Sequence, residues 1–492
     1  MRTAPSLAED RAIASIPCDL VGPIVVILAA GQGTRMRSRT PKLLHPLCGR
    51  AMIGWPVVAA RAAGASRIIV VDGPQQQLRE HLPADVEVVV QHQARGTADA
   101  VRAAAGLLVP RGEERLVPVV ILYGDVPLIT AETITALTES HQQSGAAATM
   151  VTAVVDDPTG YGRVVRVADG GVERVVETKE PGDATPEQLQ IQEINTGIFA
   201  FDPVALMSAL DRVGTANAQA EYYLPDVLPI LREEGRAIAA YTLDDPTEAQ
   251  GINDRRQLSE VRALAQRRIA ERHMLAGVTI IDATATVIDA GVTIGEDAVI
   301  APFTCLHGHT TIGSGSSIGP HATLIDAEVG VDSTVLHSVV REAVVGDRVS
   351  VGPFAYLRPG TVMREGSKAG TFVEIKNSDV GAGSKVPHLS YIGDADIGEG
   401  TNLGASTITA NYDGYRKHRT TIGSRVKTSV DTTLVAPVVV GDDAFTGAGS
   451  VITKDVSGGA LGIARARQEN IDGYAERRRE RAEADGSEAA KH

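Results

Sequence analysis

The stretch VIDAGVTIGEDAVIAPFTCLHGHTTIGSGSSIGPHATLI, Val287–Ile325, decides the fold of the second half of this chain. Ile288, Ile294, Ile300, Leu306, Ile312, Ile318 and Leu324 recur every sixth residue, and Gly295, Gly313 and Gly319 directly follow three of them. A period of six fits neither an amphipathic helix nor a simple alternating strand. It fits a coil that turns a corner every six residues, stacks its aliphatic side chains inward and covers its neighbour above and below. The register slips and resumes through Val351-Gly352, Leu357, Ile375, Val380-Gly381, Ile392-Gly393, Ile397-Gly398 and Leu403-Gly404, and again at Ile422-Gly423 and Val440-Gly441. A solenoid therefore occupies roughly 277–466.

Upstream the rhythm is different. Apolar runs at Ile24–Leu28, Arg67–Val71, Val86–Val90, Val117–Leu122 and Ala147–Val155 alternate with Ala-rich helical stretches. That alternation predicts an α/β domain over 24–254 with a largely parallel sheet. Between them Leu258, Val261, Leu264, Ala265 and Ile269 recur at helical spacing among charges, so 255–276 reads as a linker helix. Residues 1–23 read as a flexible leader and 467–492, with Arg477-Arg478-Arg479, as a polar tail.

At 492 residues the chain exceeds what one core usually serves. Its 43% hydrophobic and 22% charged residues are those of a globular protein. The net charge of −14 weighs against a nucleic-acid partner, which needs a basic surface. No apolar stretch reaches bilayer length and no signal pattern opens the chain, so no membrane partner is expected. Cys18, Cys48 and Cys305 are too scattered for a disulfide framework or a zinc site, which points to a reducing cytoplasm.

Two sets of residues carry chemistry. In the first half, Leu28-Ala-Ala-Gly-Gln-Gly-Thr-Arg-Met36 follows the first strand, with Pro41-Lys42 shortly after. Gly31 and Gly33 allow close backbone approach to phosphates, while Arg35 and Lys42 supply neutralising charge. Tyr123-Gly-Asp-Val-Pro-Leu128 puts Gly124 and Asp125 at the carboxyl end of a strand, where open α/β sheets hold ligands. In the second half, Leu357-Arg-Pro-Gly360, Val373-Glu-Ile-Lys376, Lys385-Val-Pro-His-Leu-Ser-Tyr391, Asn402 and Asn411-Tyr-Asp-Gly414 interrupt the repeat with more polar groups than stacking requires.

The glycine-rich turn with its Arg-Met and Pro-Lys resembles the signature of sugar-1-phosphate nucleotidylyltransferases, and the repeat resembles the left-handed parallel β-helix of hexapeptide acyltransferases. Taken together, Ile24 to Arg465 resembles the bifunctional N-acetylglucosamine-1-phosphate uridylyltransferase and glucosamine-1-phosphate N-acetyltransferase family. The resemblance implies synthesis of UDP-N-acetylglucosamine, a cell-wall precursor, by a cytoplasmic homotrimer. It implies a Rossmann-like nucleotidylyltransferase domain, with UTP at Leu28, Ala29, Gly31, Gly33, Lys42, Gln91, Gly96 and Thr97. Arg35 and Lys42 would be catalytic, and Asp125 and Asn253, in Gly251-Ile-Asn-Asp254, would hold Mg²⁺, whose remaining ligands are waters and phosphates. Tyr123, Gly124, Gly162, Glu177, Asn195 and Asn253 would contact the sugar phosphate.

For the β-helix it implies Arg358 and Lys376 at the phosphate of glucosamine-1-phosphate, Tyr391 and Asn402 at the sugar, and His388 as general base. The amine nucleophile exists only after proton removal, work suited to an imidazole. Acetyl-CoA would lie along Ala405, Asn411, Tyr412, Ser429, Ala448 and Arg465, between two prisms of the trimer. The sequence departs from the family pattern at three places. Pro225 in Glu221-Tyr-Tyr-Leu-Pro-Asp226 stands where threonine is frequent, Ala98-Asp99 where Gly-His is common, and Val430 where serine is usual. Two other readings use the same folds: a single-activity nucleotidylyltransferase with a structural or regulatory β-helix, and a binding scaffold without chemistry. Arg35, Lys42, Asp125 and Asn253 argue against the scaffold, and His388 with Lys376 and Arg358 against the single activity.

Overall fold

The computed structural model describes residues 22–31, 33–108, 117–167, 170–178, 184–215 and 220–484. Most of the leader expected at 1–23, and residues 485–492 of the expected tail, lie outside them. Two compact units are present, Met1–Ile269 and Ala270–His492.

In the first unit the apolar runs become strands, and the central ones, such as Ile24–Leu28 and Val119–Tyr123, are buried on both faces. In chain order they are β1 (Ile24–Leu28), β2 (Arg67–Asp72), β3 (Glu87–Val90), β4 (Val119–Tyr123), β5 (Ala148–Val154), β6 (Arg163–Arg166), β7 (Val172–Val176), β8 (Glu193–Phe201) and β9 (Ile238–Thr242). The sheet order is β9-β5-β8-β4-β1-β2-β3, with the β6–β7 hairpin attached to β8. Helices α1 (Gly54–Ala62), α2 (Thr97–Leu108) and α3 (Ala131–Ser144) are among its flanking elements. Val26, Ile69, Ile121, Phe199 and Phe201 share a core with Val101 and Ala104 of α2. The Thr130 hydroxyl caps α3 by accepting from the Thr133 amide at 3.2 Å, and Gly145 at φ 59° ends it.

The sheet is mixed, where the alternation of runs predicts a largely parallel one. β4, β1, β2 and β3 are parallel, as are β9 and β5, but β8 runs antiparallel to both β4 and β5. Parallel neighbours need a crossover, usually helical. β5 continues instead into the β6–β7 hairpin, and the chain returns reversed as β8. The four parallel strands β4, β1, β2 and β3 bring Tyr123, Leu28, Asp72 and Val90 to one sheet edge.

A 21-residue helix, α4 (Arg255–Leu275), follows, with Leu258, Val261, Ala265 and Ile269 buried. The repeat then forms the three-walled parallel β-helix of hexapeptide proteins, left-handed in that class. Wall one runs from Thr279–Ile280 to Lys385–His388, wall two from Val287–Ile288 to Val451–Ile452, and wall three from Thr293–Ile294 to Val438–Val440. Stacked partners such as Ile288, Leu306 and Leu324 are three hexapeptides apart, one full coil. With Val340, Leu357, Ile375 and Ile392 they are at most 1% exposed. Each contributes about 1.5–3 kcal/mol of apolar burial. The slip after Leu403 has a structural cause: the loop 411–419 lengthens one coil between Ile408–Ala410 and Thr420–Ile422, and stacking resumes beyond it. At one corner Phe303, His321, His337, Phe354 and Phe372 take left-handed φ of 42–61°. Their rings follow one another with centroids 4.9–5.6 Å apart, stacked at both ends of the row and tilted on either side of His337. The tail helix α5 (Tyr474–Ala484) is charged and almost wholly exposed. Among the described residues no helix is long and apolar enough to cross a membrane.

Candidate active sites

The edge of the first sheet opens into a cleft of about 300 Å³. Leu28, Ala29, Gly31, Lys42, Gln91, Gly96, Thr97, Tyr123 and Asp125 all border it, and Glu221 joins them. Lys42 and Asp125, which border it, converge with two residues far away in sequence, Arg35 and Asn253. The Lys42 ammonium donates to Asp125 Oδ2 at 2.5 Å and to Asn253 Oδ1 at 3.0 Å, and Arg35 Nη2 donates to the same Asn253 oxygen at 2.9 Å. Gly33 backs against the Lys42 side chain, and Gly124 against Leu43 and Ile53. One carboxylate and one amide oxygen thus already face a single cationic position. That hard-oxygen donor pair fits Mg²⁺, which takes few protein ligands. Among the described residues no group of three or more His, Cys, Asp or Glu forms a metal cage.

Gly96 shows why a glycine must begin the Gly96-Thr97 turn. Its φ is 110°, and a Cβ there would lie 2.4 Å from the carbonyl oxygen of Tyr222. That close approach ties the turn to the segment 221–226: Tyr222 N donates to Arg95 O at 2.7 Å, Ala98 N to Tyr222 O at 2.9 Å, and Leu224 N to Thr97 Oγ1 at 2.9 Å. Pro225 sits in this segment and has no amide of its own to give. The neighbouring Asp226 carboxyl is pushed up by burial and by the charge of Glu177.

Tyr123 connects the cleft to the remaining candidates. Its ring packs on Gly197, and burial, then Asp125, push its phenol well up, with Glu177 adding to the effect. Asn195 N donates to Gly162 O at 2.9 Å, Asn195 Oδ1 accepts from Gly197 N, and Gly162 faces Val175 and the Glu177 carboxylate. Gly162, Glu177, Asn195 and Tyr123 are therefore neighbours at the β6–β7 hairpin and β8.

In the β-helix, Arg358 follows a wall-two strand and Lys376 ends the next one, a coil apart, and Tyr391 begins the third. Arg358 is paired with Glu374 at 2.7 Å. A groove of about 390 Å³ lies on this wall between Tyr356, Glu374, Tyr391 and the corner residues Phe354, Phe372 and Leu389. Glycine at 393 permits a close approach that a side chain would prevent, since a Cβ would lie 2.5 Å from the Tyr391 hydroxyl and 2.6 Å from Asn411 Nδ2. Asn411 is buried and donates to Asp394, which also accepts from Asn377 at 2.6 Å.

One residue was missed from sequence. Lys417, in the loop 411–419, is brought beside Lys376, whose hydrogen bond and charge hold the Lys417 amine below its ordinary range. The two amines are thus close neighbours, which concentrates positive charge on this part of the prism. The signal available in the sequence was the position of Lys417 within the insertion that breaks the repeat.

His388 ends a wall-one strand at the corner turned by Leu389, and its imidazole makes no hydrogen bond to any described residue. Ser406 N donates to His388 O, Asp431 N to Ala405 O, and Gly449 N to Val430 O. Ala405, Ser429 with Val430, and Ala448 consequently stack as a column on successive coils from His388, about 4.8 Å per coil. Ser429 is held through its amide by Thr446 Oγ1 at 3.0 Å. Val430 is 48% exposed, an apolar surface where a hydroxyl is usual in the family pattern. Asn402 lies on wall one in register with Lys385, so it and His388 sit around a corner from Arg358, Lys376 and Tyr391. Tyr412 is exposed, with its hydroxyl donated to Gly414 O at 2.6 Å, and Arg465 is exposed beyond the last full coil.

A nucleotide-sized cleft at parallel strand ends joined to a hexapeptide prism defines a two-part transferase. Residues 25–178 match the family described as MobA-like NTP transferase domain, and residues 291–326 match bacterial transferase hexapeptide (six repeats). The chain belongs to the bifunctional GlmU family. It is 48% identical to the bifunctional protein GlmU of Mycolicibacterium vanbaalenii over 463 residues, 92% of this chain and 93% of that protein. The same-named protein of Streptomyces avermitilis is 48% identical over 473 residues, 95% and 96% of the two chains. That of Mycobacterium bovis is 45% identical, covering 92% of each.

Proposed function

We propose that the chain makes UDP-N-acetylglucosamine in two steps, one in each unit. The β-helix transfers the acetyl group of acetyl-CoA to glucosamine-1-phosphate, and the first unit then joins N-acetylglucosamine-1-phosphate to UTP and releases pyrophosphate. The observation that carries this reading is the presence on one chain of two separate anion-handling centres. Arg35 and Lys42 gather with Asp125 and Asn253 at the sheet edge, and Lys376 and Lys417 face one another on the prism.

In the first unit the sugar phosphate oxygen attacks the α-phosphorus of UTP. Arg35 and Lys42 offset charge that builds on the departing pyrophosphate. Mg²⁺, held by Asp125 and Asn253, would supply further neutralisation of the phosphates. Gln91, Gly96 and Thr97 form the wall at which uracil is read, while Glu177, Asn195 and the Gly162 backbone hold the sugar. In the second unit Arg358, Lys376 and Lys417 fix the phosphate, Tyr391 and Asn402 orient the sugar, and His388 takes a proton from the amine. The freed nitrogen attacks the thioester carbonyl, and coenzyme A leaves as the thiol. The column from Ala405 to Ala448 gives the cofactor a track that starts at His388.

The acetyltransferase works as a homotrimer in the cytoplasm. Phe303, Phe354, Phe372 and Leu389 support this, because each is more than half exposed on the corner that carries His388, an apolar edge suited to burial against a second copy. The test is to incubate the protein with glucosamine-1-phosphate, acetyl-CoA, UTP and Mg²⁺ and to identify products by mass, omitting each reactant in turn. UDP-N-acetylglucosamine should appear only in the complete mixture. Its formation from N-acetylglucosamine-1-phosphate and UTP, without any acetylation of glucosamine-1-phosphate, would leave the prism without its proposed activity.

A further inference from the structure

Asp99 belongs to no part of the chemistry described above, yet it is 8% exposed and both of its carboxylate oxygens accept a hydrogen bond. Oδ1 accepts from Arg95 Nη2 at 3.0 Å, and Oδ2 accepts from Gln91 Nε2 at 2.9 Å. The same Gln91 nitrogen donates to the carbonyl oxygen of Gly96 at 3.1 Å. Both partners of the Gln91 amide are thus pure acceptors, so only its NH₂ can face them. Gln91 itself is 4% exposed and borders the cleft. Its Oε1 has no hydrogen-bond partner among the described residues, and neither has the amide N–H of Gly96. Arg95 keeps the carboxylate in place from the other side, resting 5.7 Å from the Tyr222 ring centroid.

We infer that Asp99 is a positioning residue that locks the Gln91 amide with its oxygen toward the nucleobase, so that the cleft selects a pyrimidine carrying an imide N–H. This rests on the reading that the base of the nucleotide lies at Gln91 and Gly96. Uracil and thymine present N3–H as a donor, beside carbonyl oxygens able to accept from Gly96 N–H. Cytosine places a bare N3 acceptor at that point, and the fixed Oε1 meets it lone pair to lone pair. A glutamine free to flip would accommodate either ring. The carboxylate removes that choice, and by polarising the amide it also strengthens Oε1 as an acceptor. Discrimination of this kind is large when a site built to pair with a polar edge is left unpaired.

The test measures initial rates of pyrophosphate release with N-acetylglucosamine-1-phosphate and UTP, dTTP, CTP or N3-methyl-UTP, for the full chain and for Asp99→Leu and Asp99→Asn. The unaltered protein should reject CTP and N3-methyl-UTP, and should turn over dTTP far better than either. Asp99→Leu should raise the KM for UTP by roughly tenfold with kcat nearly unchanged, and should lower the UTP to CTP preference by a similar factor. Asp99→Asn should recover most of the preference, because its amide oxygen can still accept from Gln91 Nε2. A folded Asp99→Leu protein with the original KM and UTP to CTP ratio would overturn the inference, as would ready use of N3-methyl-UTP by the unaltered protein, a measurement that needs no variant. Absence of turnover with UTP itself would overturn the uridylyltransferase reading first, and the inference with it.

Discussion

Substituting Gly96 by alanine should damage the nucleotide site while sparing the acetyltransferase. The new Cβ would stand 2.4 Å from the oxygen and 2.7 Å from the nitrogen of Tyr222, both backbone atoms that no rotamer change can move. At φ 110° the backbone conformation alone costs an L side chain about 1–3 kcal/mol. Relief would mean parting the turn from 221–226, with loss of the Tyr222 to Arg95 and Ala98 to Tyr222 hydrogen bonds, about 1 kcal/mol each. The sum is about 3–5 kcal/mol, enough to raise the KM for UTP by about a hundredfold or more if it is met on binding. Coupled assays of pyrophosphate release and coenzyme A release on one preparation separate the two units. Gly106→Ala is the control: it lies in α2 with nothing within 4 Å of an added Cβ, and helix propensity makes it neutral or slightly stabilising. The reasoning fails if Gly96→Ala keeps kcat/KM for UTP and the melting temperature of the unaltered protein.

Three further outcomes are expected. Asp125→Ala removes the carboxylate that pairs with Lys42 and should lower uridylyl transfer by about a thousandfold with acetyl transfer unchanged, so parallel loss of both activities in folded protein would contradict separate sites. Lys417→Ala should raise the KM for glucosamine-1-phosphate about tenfold with little change in kcat, and an unchanged KM would show that the lysine pair holds no phosphate. Burial, and then Arg272, hold the His273 imidazole down to about 4 from its ordinary 6.5. The unfolded chain therefore binds a proton from about pH 6.5 downward that the folded chain takes only near 4, so this contribution to stability is full above 6.5 and is lost as the pH falls toward 4. Thermal unfolding across that range should show a smaller loss for His273→Leu, and identical slopes would refute the assignment.

The prism was legible because every coil repeats one pattern. Ile288, Leu306 and Leu324 mark the same place in wall two, and a slip is visible wherever the next aliphatic residue arrives late. The loop 411–419 is such a slip, so its existence was readable though the approach of its Lys417 to Lys376 was not. The reversal of β8 was not readable. Strand direction depends on what the chain does between strands, and the β6–β7 hairpin is short and carries charges such as Arg163, Arg166 and Arg174 among its valines.

Site residues divide along a similar line. Arg35, Lys42 and Asp125 were findable because each lies in a local motif whose chemistry is plain in a few residues. Lys417 was not, because its meaning comes from Lys376, distant in the chain and outside any shared motif, which folding brings beside it. Asp99 is the more instructive case. From sequence it is only a departure, an acid where the family pattern has histidine. In three dimensions the same carboxylate holds Gln91 and Arg95, while the flanking Ala98 hands its amide to Tyr222. A substitution that looks like loss along the chain thus leaves the wall beside the cleft hydrogen-bonded on its buried side, with Gln91 Oε1 and Gly96 N–H unspent on the other. Whether a departure weakens a site depends on which groups it leaves unpaired, and that accounting needs the neighbours that folding supplies.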